Sequence, residues 1–302
     1  MSLTAYQSLQ SCGLGVGMHW TTWTAPRTGN ILSFPDAVEA LDVDRLAGTL
    51  ADAGAQHLLF TLTHALHWLP LPHPVVERLL HGRTCRRDLV ADLIAALDRR
   101  GLKLILYYHN GLDAGDLPWQ KAAGAEDADP ARAHDNFCQI VSWMGERYGD
   151  KAAAWWFDAG WALNRWGDAP WERIITAAKA GFAQRAITFN PGLGSQNVLT
   201  PLLDYWSGET EGVTVLPGTT GPGGLPLYAY LSWHCNRSTE SWGMEMHTRD
   251  RVRDYPTLEQ AREFVAAFRK SNAPLTVNLL SFQNGEFDEA DLRLFRQVAE
   301  ST

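Results

Sequence analysis

The residues with chemical potential in this chain are two acidic segments and a scatter of histidines. Asp158 closes the run Trp155-Trp156-Phe157 and is followed by Ala159-Gly160-Trp161. A carboxylate placed directly after a buried aromatic strand is partly desolvated, the setting of a nucleophile in a pocket. From this segment alone the plainer account, an Asp capping the following loop, carries more weight. Glu209 and Glu211 follow Tyr205-Trp206-Ser207-Gly208. Retaining glycoside hydrolysis needs a second carboxyl group about 5–5.5 Å from the first, acting as acid and then as base. Periodicity does not decide which Glu faces inward, and both also read as solvated loop charges. His19, His64, His109, Asn190 and His234 each follow a short apolar run. A barrel built for stability alone has little reason to collect so many polar groups at strand ends.

The elements that must position these groups follow an α/β pattern: apolar runs alternate with amphipathic stretches, as in βα units around a parallel barrel. Strands are predicted at Leu14–Trp20, His57–Thr63, Lys103–His109, Ala153–Phe157, Ala186–Asn190, Leu202–Trp206, Leu227–Trp233 and Leu275–Leu280. Helices are predicted at Val43–Ala53, Arg87–Arg100, Asn136–Tyr148, Trp171–Ala180, Leu258–Arg269 and Ala290–Val298. Gly54, Gly101 and Gly149 follow three of them, as glycine does where a helix ends. No helix is evident after the fifth and sixth strands, and 217–226 is rich in Gly and Pro. The expectation is a TIM-like (β/α)8 barrel with some helices missing in its second half, a single domain over residues 1–302. Catalytic groups of such barrels sit at the C-terminal ends of the strands. Strands four and six lie on the same side, so Asp158 and the Glu209 segment can converge.

Composition narrows the partners. The net charge is −8 with no strongly basic block, so neither nucleic acid nor an anionic membrane surface is an expected partner. Cys12, Cys85, Cys138 and Cys235 stand far apart and form no CxxC pair, which excludes a zinc ribbon or a redox motif. Residues 1–10 carry no basic region followed by an apolar one, and no apolar run reaches 18 residues; a cytoplasmic protein is expected. The 13 tryptophans are the unusual count. Core packing accounts for most Trp in most proteins, but several here adjoin His, Asp or Gly, where an indole can line a sugar-sized pocket.

The segments then acquire a collective meaning. Gly17-Met18-His19-Trp20, Ala53 through His57 to Thr63-His64, Arg87-Asp88-Leu89-Val90, and Arg100 through Tyr107-Tyr108 occur in order. Trp156-Phe157-Asp158-Ala159-Gly160-Trp161, Asp204-Tyr205-Trp206-Ser207-Gly208-Glu209, Ser241-Trp242-Gly243 and Leu275 to Gly285 follow. From Gly15 to about Val298 the chain resembles the catalytic barrel of the retaining α-L-fucosidase family of glycoside hydrolases. The resemblance implies Asp158 as nucleophile and Glu209, rather than Glu211, as acid/base. It implies a carbohydrate substrate, a terminal α-L-fucose or fucose-like sugar, and no metal or organic cofactor. Sugar-binding roles are implied for His19 and His64, and His67, His109, Asn190, Trp233 and His234 join them as strand-end candidates. Trp20, Trp156 and Trp242 are candidates to pack against an apolar sugar edge.

The chain departs from the family pattern in its sugar-reading shell. Ala65 stands where a second histidine commonly follows the first, with His67 two residues on. Asn190 is followed by Pro191-Gly192 rather than by an arginine that reaches the pocket, and Trp233-His234 stands for Trp-Glu. The chain ends where the family's C-terminal β-sandwich would follow. Two rivals remain at this stage. One is a non-catalytic sugar-binding barrel; the other is a metal-dependent hydrolase using His19, His64, His109 and Asp158, although no HExxH or His-x-His element occurs.

Overall fold

A computed structural model describes residues 4–64, 66–113, 115–167, 169–211, 220–233 and 256–301, the side chain of Glu211 excepted. Its strands are β1 (Leu14–Met18), β2 (His57–Thr61), β3 (Lys103–His109), β4 (Ala152–Asp158), β5 (Ala186–Phe189), β6 (Glu209–Glu211), β7 (Ala229–Ser232) and β8 (Leu275–Asn278). All pairings are parallel, in the order β5-β4-β3-β2-β1-β8-β7-β6. The sheet curls into the expected (β/α)8 barrel, with no ladder between β5 and β6. Helix α1 (Ala5–Gln10) precedes the barrel, and α2 (Phe34–Ala40), α3 (Val43–Asp52), α4 (Pro74–Leu79) and α5 (Leu89–Asp98) lie between β1 and β3. Then come α6 (Leu117–Ala123), α7 (Ala131–Tyr148), α8 (Gly160–Leu163), α9 (Trp171–Ala178), α10 (Leu258–Lys270) and α11 (Glu289–Glu300). No helix stands between β5 and β6, as the sequence predicts.

Helix starts follow local chemistry. Asp42, Asp88 and Asp116 each accept a first-turn backbone N–H, and Thr257 forms a reciprocal capping box with Gln260. Among the described residues no helix is long and apolar enough to cross a membrane.

The predicted sixth strand is corrected. Leu202–Trp206 is irregular, and the strand begins at Glu209. The Asp204 carboxylate accepts the Ile187 N–H, and the Thr188 hydroxyl donates to Tyr205 carbonyl. With the backbone bond from the Asp204 N–H to the Ile187 carbonyl, these side-chain bonds close the gap beside β5 without a strand. Gly208 then turns the chain into β6 at φ +60°, where an added Cβ would meet the Tyr228 carbonyl oxygen at 2.0 Å.

Two cores result from strand alternation. Val16, Met18, Leu58, Phe60, Leu104, Leu106, Trp155 and Phe157 face the helices. Leu59, Ile105, Tyr107, Trp156, Tyr205, Tyr228 and Tyr230 fill the barrel, with Leu9 of α1 packed among them. Gly15 and Gly17 on β1 leave room for this filling. A Cβ at Gly15 would lie 2.3 Å from the His57 ring, and one at Gly17 would lie 2.8 Å from Tyr230.

Candidate active site

The register of β3 against β4 sets the site. A shift between Leu104 and Ile105 skips Ala153, after which Tyr107 pairs with Trp156 and His109 with Asp158. All four then point into the barrel mouth or the layer beneath it. Asp158 is buried, 7% exposed. Its Oδ1 accepts from the Ala159 N–H at 2.8 Å and from Asn190 Nδ2 at 2.9 Å; its Oδ2 accepts from the Tyr107 hydroxyl at 2.5 Å. Ala159 adopts a left-handed φ of 53°, uncommon for a residue with a Cβ, which turns the chain sharply into α8. Asn110 holds that turn by donating to the carbonyls of Asp158 and Ala159.

Asn190 joins the two acidic segments. Its Oδ1 accepts from Gly192 N–H and from the Ser207 hydroxyl, which leaves the amide nitrogen as the donor end. That nitrogen donates to Asp158 Oδ1 at 2.9 Å and to Glu209 Oε2 at 2.6 Å. Two such legs meeting at one atom keep the nearest carboxylate oxygens within about 5.5 Å, short of the ~6.5–9.5 Å of an inverting pair. Solvent reaches Glu209, yet its carboxyl is hemmed in by protein. Burial, with the charge of Asp158 added, pushes its pKa up from 4.5 to about 8 despite the Asn190 bond. One carboxyl is therefore set to hold its proton beside another that accepts three hydrogen bonds. The side chain of Glu211 lies outside the described residues.

Three histidines ring Asp158. His64 stands edge-on to His19 and to His109, with ring centroids 4.6 and 4.9 Å away. Burial, with the neighbouring imidazoles added, holds His19 well below its ordinary pKa; burial likewise takes His64 to about 4. Both rings are neutral near pH 7. His19 Nδ1 contacts the Thr61 hydroxyl at 3.3 Å, while His19 Nε2 and His64 Nδ1 have no partner among the described residues. Ligand atoms of His64, His109 and Asp158 lie within 4.8 Å of one another, a spacing a metal ion can bridge. Against that, His109 Nδ1 accepts the Gly111 N–H, so the neutral ring carries its proton on Nε2 and offers no free lone pair.

Other candidates divide by strand parity. Trp156 lies wholly inside the barrel, stacked on Tyr107 at 5.0 Å, and donates to the Ser207 carbonyl; it forms the floor beneath the carboxylates. Trp20 is not brought to the mouth: one residue past inward-facing His19, it packs on Phe34 and Phe60 and donates to the Gln283 carbonyl. Trp233 likewise turns outward, near Phe295 of α11. His67 lies under the β3 loop, stacked 3.5 Å from Trp119 and bonded to the outward-facing Tyr108 hydroxyl. These three belong to the shell between barrel and helices: alternation carries Trp20 and Trp233 there, and the contacts with Trp119 and Tyr108 hold His67 there. His234 and Trp242 lie outside the described residues. Tyr107, Asn110, Asp113 and Ser207 complete the surroundings without having been singled out from sequence. Tyr107 was accessible: it stands two residues before His109 on a strand that the sequence bounds correctly.

No family model matches the sequence, and no curated protein matches it. Solved structures do match. The α-L-fucosidase isoenzyme 1 of Paenibacillus thiaminolyticus superposes with TM-score 0.68 at 17% identity, over 98% of this chain and 75% of that one. A GH29 α-L-fucosidase from Bacteroides thetaiotaomicron gives 0.68 at 14% identity, over 100% and 74%. An α-L-fucosidase from Lactobacillus casei, solved with α-L-fucose product, gives 0.69 at 14% identity, over 98% and 97%. The fold is that of the α-L-fucosidase catalytic barrel. Roughly a quarter of the Paenibacillus and Bacteroides chains lies beyond this fucosidase-like barrel, whereas nearly all of the Lactobacillus chain is matched by it.

Proposed function

We propose that the chain is a retaining exo-glycosidase that removes a terminal α-L-fucose or a sugar of similar configuration through a covalent glycosyl-enzyme. The observation that carries the reading is Asn190, whose single amide nitrogen bonds both Asp158 and Glu209 and keeps their nearest oxygens within about 5.5 Å, which favours a retaining pair over an inverting one. Asp158 is the nucleophile. Its Oδ2 accepts one hydrogen bond against two on Oδ1 and is the freer oxygen to attack the anomeric carbon. As that bond forms, the glycosidic C–O bond breaks and Glu209 gives its proton to the leaving oxygen. Glu209, now a carboxylate, takes a proton from water, whose oxygen attacks the anomeric carbon and frees Asp158. Net retention follows from two inversions. The nitrogens of His19 and His64 left unpartnered among the described residues are suited to sugar hydroxyls, which would satisfy them.

The test is release of 4-nitrophenol from a panel of glycosides, α-L-fucoside and α-L-galactoside among them with gluco- and galacto-configured controls. Asp158→Ala should abolish release, and added azide should restore it with an inverted glycosyl azide as product. Wild-type activity that persists in Asp158→Ala would sink the mechanism. Tight binding of fucose without turnover of any glycoside would instead make the barrel a sugar receptor.

A further inference from the structure

His109 and Asp113 are unusual in how completely their surroundings fix a proton. The ring of His109 is buried at the end of β3, and its Nδ1 is taken by the Gly111 N–H at 3.1 Å. The neutral ring must therefore carry hydrogen at Nε2, and the imidazolium carries one there as well. In either state Nε2 is a donor and never an acceptor. It points between two carboxylates, 3.5 Å from Asp113 Oδ2 and 3.9 Å from Asp158 Oδ2. Neither separation is a full hydrogen bond, so the N–H still has directional capacity to give. The loop that supplies Gly111 and Asp113 is pinned on both sides. Trp119 Nε1 donates to the Asn110 carbonyl, and the Asp116 carboxylate accepts from His67 N–H and from Arg83.

We propose that His109 is an obligate donor to the sugar's 2-hydroxyl and that Asp113 is the residue that positions it. The inference rests on the glycosidase reading of the same site. The oxygen of Asp158 that attacks bonds to the anomeric carbon, and the hydroxyl on the neighbouring carbon comes to lie beside that oxygen. A donor 3.9 Å from Asp158 Oδ2 reaches that hydroxyl as an acceptor. Hydrogen bonds to the 2-hydroxyl strengthen as the oxocarbenium-like transition state forms, so the effect belongs in kcat. Burial disfavours charge on His109, but the nearby Asp113 carboxylate and the charge of Asp158 outweigh it and raise its pKa. His64 stands edge-on to this ring, and His19 and His67, from neighbouring elements, are near enough for its charge to act on them.

The experiment compares 4-nitrophenyl α-L-fucoside with its 2-deoxy counterpart in the wild type and three variants. His109→Ala should lower kcat/KM on the parent about 100-fold and on the 2-deoxy glycoside less than about 5-fold. Asp113→Asn, which preserves shape, should cost about 10-fold on the parent alone. His109→Gln, whose amide still donates, should recover part of the loss. Equal losses on both glycosides, in an active wild type, overturn this proposal while leaving the glycosidase reading intact. A wild type silent on the parent overturns the glycosidase reading and, with it, this one.

Discussion

The two ends of the barrel use histidine in opposite ways. At the N-terminal end, His57 of β2 is buried with both nitrogens engaged: Nδ1 with the Cys12 carbonyl at 2.8 Å and Nε2 with the Thr276 hydroxyl at 2.7 Å. At the C-terminal end, His19 Nε2 and His64 Nδ1 have no partner among the described residues. Burial depresses the pKa of all three rings, so charge is not what separates them. A buried polar atom left unpaired costs about 1–3 kcal/mol. Among the described residues the chain satisfies His57 fully and leaves its counterparts at the mouth unsatisfied, an arrangement that a sugar would complete on the proposed function. On the proposed function, the bottom is finished by folding and the mouth by the sugar.

The contrast is broken most severely at Asp158. On the proposed mechanism Asp158→Asn keeps the shape and removes the attacking charge, so kcat should fall about 10⁴-fold with little loss of thermal stability. A fall of less than 10-fold on the preferred glycoside would mean that the mouth is not organised around this carboxylate.

Glu209→Gln should come next, with kcat/KM down about 100- to 1000-fold on glycosides with poor leaving groups and less on activated ones. The same variant tests the energetics. In the native state Glu209 holds its proton to about pH 8, whereas the unfolded chain releases it near 4.5. The native state thus binds more protons across that window, and stability must fall as pH rises from 4.5 towards 8, then level off. Glu209→Gln removes this slope. Urea midpoints should show the variant gaining on the wild type between pH 5 and pH 8.5, and a constant difference would contradict the raised pKa. In activity, the alkaline limb of the wild type should fall near pH 8.

Much of this was legible in sequence, and the gaps have physical reasons. Asp158 and Asn190 stood out because a polar residue ending an apolar parallel strand must point somewhere, and strand alternation sends both inward. The same parity, applied one residue further, turns Trp20 and Trp233 towards the helices; there strand-end position was read and side-chain direction was not. Leu202–Trp206 has the apolar composition of a strand, but the Asp204 carboxylate takes up the Ile187 N–H that a ladder would use. The Glu209–Asp158 link depends on an amide flip fixed by Ser207 and Gly192, which no spacing rule encodes. His67 was placed by stacking on Trp119, a contact between a loop and a helix far along the chain.

Tyr107→Phe sharpens the comparison from within the mouth. The hydroxyl contacts Asp158 Oδ2, and the ring stays stacked on Trp156, so the change removes one bond and leaves the packing. A loss of about 10-fold in kcat with KM nearly unchanged is expected, because on the proposed mechanism that bond orients the attacking oxygen rather than the sugar. A change confined to KM would instead assign the hydroxyl to substrate binding.

The smallest effect on chemistry should come from the other end. His57→Leu leaves the Cys12 carbonyl without its ring partner, while Thr276 keeps its contact with the Tyr228 hydroxyl. The cost should be about 2 kcal/mol of stability, read as a lower melting temperature. The turnover of molecules that remain folded should match the wild type within about 2-fold, since effects of separated sites combine independently. Tyr107 and Tyr230, the aromatic layer between His57 and Asp158, are what would insulate one end from the other. If His57→Leu lowers kcat as much as Tyr107→Phe does, that layer transmits strain instead of absorbing it, and the division between a finished bottom and an unfinished mouth does not hold.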